Sequence, residues 1–422
     1  MIEAAKDVLR GNDMGDFTKP GPNQYPHQWN WDSALIALGL SFFDIPRALL
    51  EMRSLLNGQW LNGMLPHVVY HGHETDYFPN PGFWKIETSR YAPSIHTSGI
   101  TQPPLLATIL RKIHETFNIP DFVREAFPQL LSWHRWLHDD RDADNSGLVC
   151  IVHPWESGTD DSPRWLEILG GIDPSGLEAF ARGDIRYVDV DERPYPHDYQ
   201  RFIYLIDLFR RSAYDQGTII ADSPFLVQDV LFNAILYRAD KDLQALGDVI
   251  GEDTSVIEGW IRRMEAGFNR RFWDDDAGLY YDFDVRHQRK IQISTGITFL
   301  PLFAGLTSPE QAERLIHEHY QHPKHYAVDN QVKYHLTSAS KDLQGWDPRR
   351  YWRGPVWILL NWLVYHGLLD YGYTREAAGL CADSLALMSK SGFREYYDPR
   401  DGTGCGSERF SWSAALAIDW LS

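Results

Sequence analysis

Hydrophobic and polar positions repeat along this chain mainly with the period of an α-helix. Apolar runs follow residues that commonly begin helices, as in Asp32-Ser-Ala-Leu-Ile-Ala-Leu-Gly-Leu and Ser308-Pro-Glu-Gln-Ala-Glu-Arg-Leu-Ile. Asp and Ser side chains cap the free N–H groups of a first helical turn, and proline is tolerated at the first helical position. The same signals predict helices over residues 101–114, 121–138, 201–212, 222–237, 254–272, 375–390 and 409–420, and one that begins at 354.

Strand signals are short and local, at residues 148–153 and 279–285. Strands and helices do not alternate in a βαβ pattern, which argues against a parallel-sheet fold. The connections 57–96 and 153–200 are rich in Gly, Pro and Trp and are longer than those of a plain helix bundle, as functional loops often are. We therefore expect an all-α toroid of helical hairpins, with functional loops at one end, in a single domain over residues 1–422.

Composition excludes several classes of protein. The 422 residues are 43% hydrophobic, enough for a large core, and carry a net charge of −18 that would repel nucleic acid. Neither an apolar run long enough to span a membrane nor a signal-peptide core is found. Cys150, Cys381 and Cys405 lack CxxC spacing, which argues against zinc or disulfides and favours a reducing, cytoplasmic location. The acidic surface leaves a homo-oligomer open.

Two carboxylate clusters carry the candidate chemistry. Asp160 lies in Trp155-Glu-Ser-Gly-Thr-Asp-Asp-Ser-Pro-Arg, and Glu395 lies in Phe393-Arg-Glu-Tyr-Tyr-Asp-Pro. Hydrolysis of a glycosidic bond requires one carboxyl group that protonates the leaving oxygen and another that activates water or attacks the sugar. Neighbouring carboxylates and tryptophans would raise the pKa of Asp160, which suits the acid, whereas Arg394 beside Glu395 would help to keep a base ionised.

Aromatic residues next to polar ones favour a carbohydrate cleft, because sugar rings stack on flat apolar surfaces. The chain has 16 tryptophans, of which Trp29, Trp31 and Trp352 have polar or charged neighbours in sequence. A plain core role remains the alternative for each tryptophan. Asp32 has two interpretations as well, since its carboxylate could cap a helix or accept two sugar hydroxyls.

The polar segment 184–199 has the character of a lid loop, with a mobile charged loop as the alternative. Arg193 would then be the fixed cation for a substrate carboxylate, because its guanidinium matches a carboxylate through two hydrogen bonds. His71 and His73 suggest a metal site, but no further ligand stands at suitable spacing, so we expect neither a metal nor another cofactor.

Six ordered segments resemble glycoside hydrolase family 63, and within it the single-domain bacterial mannosylglycerate and glucosylglycerate hydrolases. They are Gln28-Trp-Asn-Trp-Asp-Ser, Gly63-Met-Leu-Pro-His, Thr97-Ser-Gly-Ile-Thr-Gln-Pro-Pro, Trp155-Glu-Ser-Gly-Thr-Asp-Asp-Ser-Pro, Tyr351-Trp-Arg-Gly-Pro and Phe393-Arg-Glu-Tyr-Tyr-Asp-Pro. The resemblance runs from about residue 20 to the C-terminus. It implies an (α/α)6 barrel and an inverting mechanism.

The resemblance also implies residue roles, with Asp160 as general acid and Glu395 as general base. Residues around the hexose would be Trp29, Trp31, Asp32, Trp155, Gly158, Trp352 and Tyr396. The glycerate end would be held by Tyr25, Gln102, Arg193 and Tyr199, with Tyr77 on a second mobile loop. The family's more usual Asp-Asn is Asp160-Asp161 here, which could shift the pH optimum.

The leading hypothesis is hydrolysis of an α-hexosylglycerate to free hexose and glycerate. A neutral-oligosaccharide hydrolase of the α-glucosidase or trehalase type is the first alternative. A non-catalytic sugar-binding protein would keep the aromatic residues but would not need both carboxylates, and a helical-toroid lyase or epimerase would call for Tyr/His acid–base pairs. The preference between mannose and glucose depends on one hydroxyl and is left open.

Overall fold

The computed structural model describes residues 1–72 and 77–422. Its α-helices are, in chain order, α1 (Ile2–Gly11), α2 (Asn30–Ser41), α3 (Ile45–Leu56), α4 (Pro81–Trp84), α5 (Leu106–Phe117), α6 (Pro120–Asp140), α7 (Leu166–Gly170), α8 (Pro196–Arg211), α9 (Gln216–Asp222), α10 (Val230–Ile250), α11 (Ser255–Phe272), α12 (Leu300–Ala304), α13 (Pro309–Arg314), α14 (Ile358–Asp370), α15 (Thr374–Ser391) and α16 (Ser411–Leu421). Across these ranges, none of the helices combines the length and apolarity needed to cross a bilayer.

The strands are short, and their pairings are antiparallel. They are β1 (Gln28–Trp29), β2 (Val68–Val69), β3 (Cys150–Ile151), β4 (Val227–Gln228), β5 (Trp273–Asp274), β6 (Leu279–Tyr280), β7 (Asp282–Asp284), β8 (Arg289–Ile291), β9 (Arg394–Tyr397) and β10 (Gly404–Glu408). Strands β3, β4, β7 and β8 form a sheet in that order, whereas β1 pairs with β2, β5 with β6, and β9 with β10.

Six inner helices form a closed ring. Helices α2, α5, α10, α12, α14 and α16 contact one another in that order, and α16 returns to α2. Helices α1, α3, α6, α11 and α15 pack on the outside of the ring. Helix α13 continues into the π-helix Leu315–Tyr320, whose Tyr320 packs edge-on against Phe299 at the start of α12. The predicted (α/α)6 barrel is confirmed.

The two layers differ in how far each helix is buried. Every residue of α2 is buried, and α14 is buried continuously from Ile358 to Val364. Helix α1 buries only Ala5, Val8 and Leu9 and exposes its charged face. A helix that is apolar all round belongs inside a protein, whereas an amphipathic helix covers a core with one face. The sequence pattern thus places α2 and α14 in the inner layer and α1 in the outer one.

Several predicted helix starts are wrong, and one is confirmed. The helices expected from residues 101, 201 and 354 begin at Leu106, Pro196 and Ile358. The helix expected from residue 222 begins at Val230, where Asp229 caps it, because residues 227–228 pair as β4 with β3 and β7. Asp32 does not cap α2, since it lies inside the first turn and Trp29 precedes the helix. The start at Ser308 is confirmed by a complete capping box with Gln311.

Candidate active site

Four of the six inner helices, α2, α5, α14 and α16, place their N-terminal ends around one cavity. Trp31 and Asp32 come from the first turn of α2, Trp412 from the first turn of α16, and Trp357 directly precedes α14. Gln102 precedes α5 and also lines the cavity. These four helix ends therefore converge on one site.

Nearly all predicted site residues meet in this cavity. Its lining includes Tyr25, Trp29, Trp31, Asp32, Tyr77, Gln102, Trp155, Gly158, Asp160, Arg193, Tyr199, Trp352 and Glu395. Tyr396 is the exception, because its ring stacks behind Trp357, with centroids 4.6 Å apart. The cavity also contains residues that the sequence did not single out as site residues, namely Gln24, His67, Phe78, Asp184, Pro194, Tyr351, Trp357, Phe410 and Trp412.

Asp160 is a carboxyl group suited to donate a proton. Burial raises the pKa of Asp160 to about 8, supported by the negative charges of Asp161 and Glu395 and opposed by Arg193. Among the described residues, no side chain forms a hydrogen bond with its carboxyl group. A carboxylic acid that stays protonated at neutral pH and faces a cavity is the usual arrangement of a general acid.

Gly158 fixes the turn that presents Asp160. It follows the 3₁₀ helix Pro154–Ser157 with a φ of 70°, in the left-handed region that glycine adopts readily. A Cβ atom at this position would lie 2.2 Å from Cη2 of Trp31. Only glycine allows the backbone of the acid loop to pass so close to the indole of Trp31.

Both carboxyl oxygens of Glu395 accept hydrogen bonds. It lies on β9, and Tyr25 Oη donates to Oε1 at 2.6 Å. Arg193 donates from Nη1 to Oε1 at 3.2 Å and from Nη2 to Oε2 at 2.9 Å. The backbone N–H of Ser407, on the paired strand β10, donates to Oε2 at 2.8 Å. The guanidinium makes two of these hydrogen bonds charge-assisted, and together the donors fix the position of the carboxyl group in the cavity.

Arg193 thus has a partner that sequence reasoning did not foresee. It follows the 3₁₀ helix Val190–Glu192, and its side chain is 2% exposed. Its Nη1 also donates to Tyr25 Oη at 2.9 Å. The cation expected to bind a substrate carboxylate is therefore paired with Glu395 in this structure.

Asp32 is a further carboxyl group in the lining of the cavity. Burial raises the pKa of Asp32 well above its ordinary value, and the negative charge of Glu395 adds to the effect. Within the described part of the chain, it accepts no hydrogen bond from another side chain. A free carboxyl group at this position could bind the hydroxyls of a sugar ring.

The cavity walls are aromatic. The rings of Trp352 and Trp357 stack with centroids 3.9 Å apart, and Trp31 meets Trp412 edge-on at 5.6 Å. Tyr396 supports Trp357 from behind, and its hydroxyl donates to the carbonyl of Glu192 at 2.7 Å. These flat apolar surfaces suit the faces of a sugar ring.

Gln102, Tyr199 and Tyr77 also line the cavity. Gln102 Oε1 accepts the backbone N–H of Trp31 at 3.2 Å, which orients the amide. Tyr199 lies in the first turn of α8, under the guanidinium of Arg182 at 4.4 Å. Tyr77 packs edge-on against Trp29 at 5.5 Å, and burial raises the pKa of its hydroxyl. These side chains provide neutral hydrogen-bonding groups in the cavity.

Metal-binding groups were sought in residues 1–72 and 77–422. No cluster of three or more His, Cys, Asp or Glu side chains in these ranges could hold a metal ion. The suggestion from His71 and His73 is not tested, because His73 lies outside the described residues. His67, which does line the cavity, has a pKa lowered to about 3 by burial, so it is neutral at physiological pH.

Comparison with known proteins identifies the family of this chain. Residues 25–413 match the model of the mannosylglycerate hydrolase MGH1-like glycoside hydrolase domain. The chain is 46% identical over 421 residues to a mannosylglycerate hydrolase of Thermus thermophilus, with 99% of each chain covered. It is 35% identical to a glucosylglycerate hydrolase of Mycolicibacterium hassiacum, over 98% of this chain and 96% of that one.

A solved structure gives the same result. The crystal structure of a GH63 mannosylglycerate hydrolase from Thermus thermophilus, in complex with Tris and D-glycerate, matches over 100% of both chains with a TM-score of 0.93 and 45% identity. The resemblance to glycoside hydrolase family 63 is thereby confirmed. The chain belongs to the mannosylglycerate hydrolase MGH1-like family of glycoside hydrolases.

Proposed function

We propose that this protein is an inverting hydrolase that cleaves an α-hexosylglycerate into hexose and glycerate. The observation that carries the proposal is one cavity with two unlike carboxyl groups. Asp160 has a pKa raised to about 8, whereas Glu395 accepts hydrogen bonds on both oxygens. A glycosidase needs one carboxyl group as the acid and another as the base, and it obtains them by placing the two groups in different environments.

The reaction follows from these two groups. Asp160 donates its proton to the glycosidic oxygen as the bond from that oxygen to the anomeric carbon breaks. Glu395 accepts a proton from a water molecule, whose oxygen bonds to the anomeric carbon from the opposite face. The products are glycerate and a hexose of inverted anomeric configuration. The reaction leaves Asp160 without its proton and Glu395 with an extra one. Asp160 then regains a proton from solvent, and Glu395 releases its proton to solvent.

Substrate contacts can be assigned from the lining of the cavity. The hexose would lie against Trp29, Trp31, Trp155 and Trp352, with Gly158 leaving room for the ring and Asp32 accepting its hydroxyls. The glycerate would reach Tyr25, Gln102, Arg193, Tyr199 and Tyr77. Tyr396 would act indirectly, by holding Trp357. A substrate carboxylate would give the guanidinium of Arg193 a second partner beside Glu395.

Support for the aglycone comes from relatives. The Thermus and Mycolicibacterium relatives are named as hydrolases of mannosylglycerate and of glucosylglycerate, and the matched crystal structure contains D-glycerate. We extend these substrates to this chain, which would act as a single domain over residues 1–422. Three free cysteines are compatible with a cytoplasmic location. That location and a homo-oligomer stay predictions.

The test is hydrolysis of mannosylglycerate, glucosylglycerate and the neutral disaccharide trehalose by the purified protein, with released hexose as the readout. Cleavage of either glycerate compound with little cleavage of trehalose is expected, and the faster one identifies the hexose. Proton NMR of the first product should show the β-anomer released from the α-glycoside. Cleavage of trehalose alone would refute the glycerate assignment, and release of the α-anomer would refute inversion.

A further inference from the structure

The carboxylate of the proposed base is saturated with hydrogen-bond donors. Glu395 accepts four hydrogen bonds, from Tyr25 and Arg193 on Oε1 and from Arg193 and the Ser407 N–H on Oε2. A carboxylate has about four lone-pair sites, two on each oxygen. No site remains for an attacking water, so at least one donor has to leave before Glu395 can accept a proton.

Arg193 is the donor that can leave. The Ser407 N–H belongs to β10, which is fixed by its pairing with β9. Tyr25 occupies one oxygen only, whereas the guanidinium of Arg193 occupies a site on each oxygen. Removal of Arg193 therefore frees a site on whichever oxygen faces the water.

This movement needs only the side chain of Arg193. The carbonyl of Arg193 accepts Arg350 Nη1 at 2.7 Å, and the preceding carbonyl accepts Tyr396 Oη at 2.7 Å. The carboxylate of Glu192 accepts the N–H of Gly406 at 2.9 Å. These bonds hold the backbone in place, so rotation of the side chain suffices and the loop need not be displaced.

The Arg193 guanidinium also has an unused donor. Its Nε is buried and has no hydrogen-bond partner among the described residues. The ring centroid of Tyr351 lies 4.8 Å from the guanidinium carbon and that of Tyr25 lies 5.7 Å away, so aromatic faces flank the group. A second carboxylate in the cavity could pair side-on with Nε and one Nη. It would satisfy this donor and compete with Glu395.

We infer that Arg193 is a specificity switch, in which the carboxylate of the substrate draws Arg193 away from Glu395 and so frees the base. The inference rests on the proposed function and deepens it. A neutral glycoside would still bind in the aromatic pocket, but Arg193 would stay on Glu395. Discrimination against neutral substrates should therefore appear in kcat more than in KM.

The test uses a sugar substrate that lacks a carboxylate and supplies the carboxylate as a separate molecule. α-Mannosyl fluoride and α-glucosyl fluoride carry no carboxylate, and their fluoride leaves without protonation by Asp160. Water bonds to the anomeric carbon as the C–F bond breaks, and Glu395 takes the water's proton. We expect free D-glycerate to raise kcat for the fluoride saturably, by about tenfold or more, the effect expected when one charge-assisted hydrogen bond is released.

Substitution of Arg193 gives an independent measurement. Arg193→Met should hydrolyse the fluoride faster than the unmodified enzyme without glycerate, and glycerate should have no further effect. Its KM for the glycerate glycoside should rise, because the anion partner is lost. The control is Arg211→Met, in the last turn of α8, where the exposed guanidinium pairs with Asp207 at 3.1 Å. This variant should respond to glycerate as the unmodified enzyme does.

Failure of the switch is distinguishable from failure of the proposed function. If the enzyme hydrolyses mannosylglycerate or glucosylglycerate, but glycerate only inhibits or does not affect the fluoride reaction, the switch is refuted and the function stands. If neither glycerate compound is cleaved while the fluoride is, the proposed function is refuted. The glycerate response is measured on the unmodified enzyme, so the test does not depend on the folding of a variant.

Discussion

Arg353 binds Asp161, the residue that follows the proposed general acid, through two hydrogen bonds. Nε donates to Oδ2 at 3.0 Å and Nη2 to Oδ1 at 2.7 Å. Nη2 also donates to Oδ2 of Asp198, in the first turn of α8, at 3.1 Å. One guanidinium thus joins the loop of Asp160 to the helix that follows the Arg193 segment. Burial raises the pKa of Asp161 to about 6, although Arg353 opposes the shift.

Asp161→Asn should move the basic limb of the pH–activity profile to lower pH. The acid must be protonated, so activity falls as pH rises through the pKa of Asp160, which is about 8. The negative charge of Asp161 contributes to that raised pKa. Its removal should therefore shift the basic limb by about one unit to lower pH. Measurement of kcat/KM from pH 5 to pH 10 tests this. An unchanged or higher limb would show that the charge of Asp161 does not reach Asp160.

Asp160→Asn and Glu395→Gln should differ on an activated substrate. Both should lower kcat for the natural substrate by about 10²–10⁴, the usual contribution of a general acid or base. Because fluoride leaves without a proton, Asp160→Asn should retain hydrolysis of the α-glycosyl fluoride, whereas Glu395→Gln should lose it. Asp121→Asn, at an exposed surface carboxylate, is the control and should be fully active. Equal loss in both variants would contradict the assigned roles.

The site was predictable where its chemistry lies within short segments. The surroundings of Asp160 and Glu395 were visible because each carboxylate has aromatic neighbours in sequence. The Arg193–Glu395 pair was not predictable, because the sequence does not give distances between segments that only the fold brings together. Instead, Arg394 was considered as the cation near Glu395, since it is adjacent in sequence, but its side chain pairs with Glu408 at 3.7 Å.

The fold, like the site, was predictable from the sequence only in part. Helical periodicity and the absence of a βαβ pattern were sufficient to predict a toroid of helical hairpins. Trp357 and Trp412 were not assigned to the cavity, because a tryptophan beside a helix start has the same local pattern whether it enters a core or a site. The Gly354-Pro turn of the Tyr351–Trp357 segment was the available signal for Trp357. Trp412 had no comparable signal.

Gly158→Ala should impair both folding and catalysis. A non-glycine residue in the left-handed region costs about 1–2 kcal/mol, and the added Cβ would also press on Trp31 at 2.2 Å. Gly170→Ala is the matched control on the same segment, because its Cβ would meet no described atom within 4 Å. Urea denaturation and kcat measure the two effects. Normal stability and activity of Gly158→Ala would show that the acid loop relaxes without cost.

Glu156→Gln should destabilise the protein most. Arg141 and Glu156 form a buried pair beneath the acid loop, from Nη1 to Oε2 at 2.8 Å and from Nη2 to Oε1 at 2.8 Å. Glu156 also accepts the N–H of Val152 at 2.8 Å and that of Thr101 at 3.3 Å. The substitution leaves a buried guanidinium without its counter-charge, which typically costs about 3–5 kcal/mol.

The measurement is urea denaturation of Glu156→Gln beside Asp121→Asn, which removes an exposed partner of Arg124 and should cost less than about 1 kcal/mol. Replacement of both Arg141 and Glu156 by Met should recover part of the loss, because no unpaired charge is then buried. The double variant could instead be less stable than Glu156→Gln by about as much as Glu156→Gln is less stable than the unmodified protein. In that case the loss of stability would come from lost packing. The buried charge would then not be the cause.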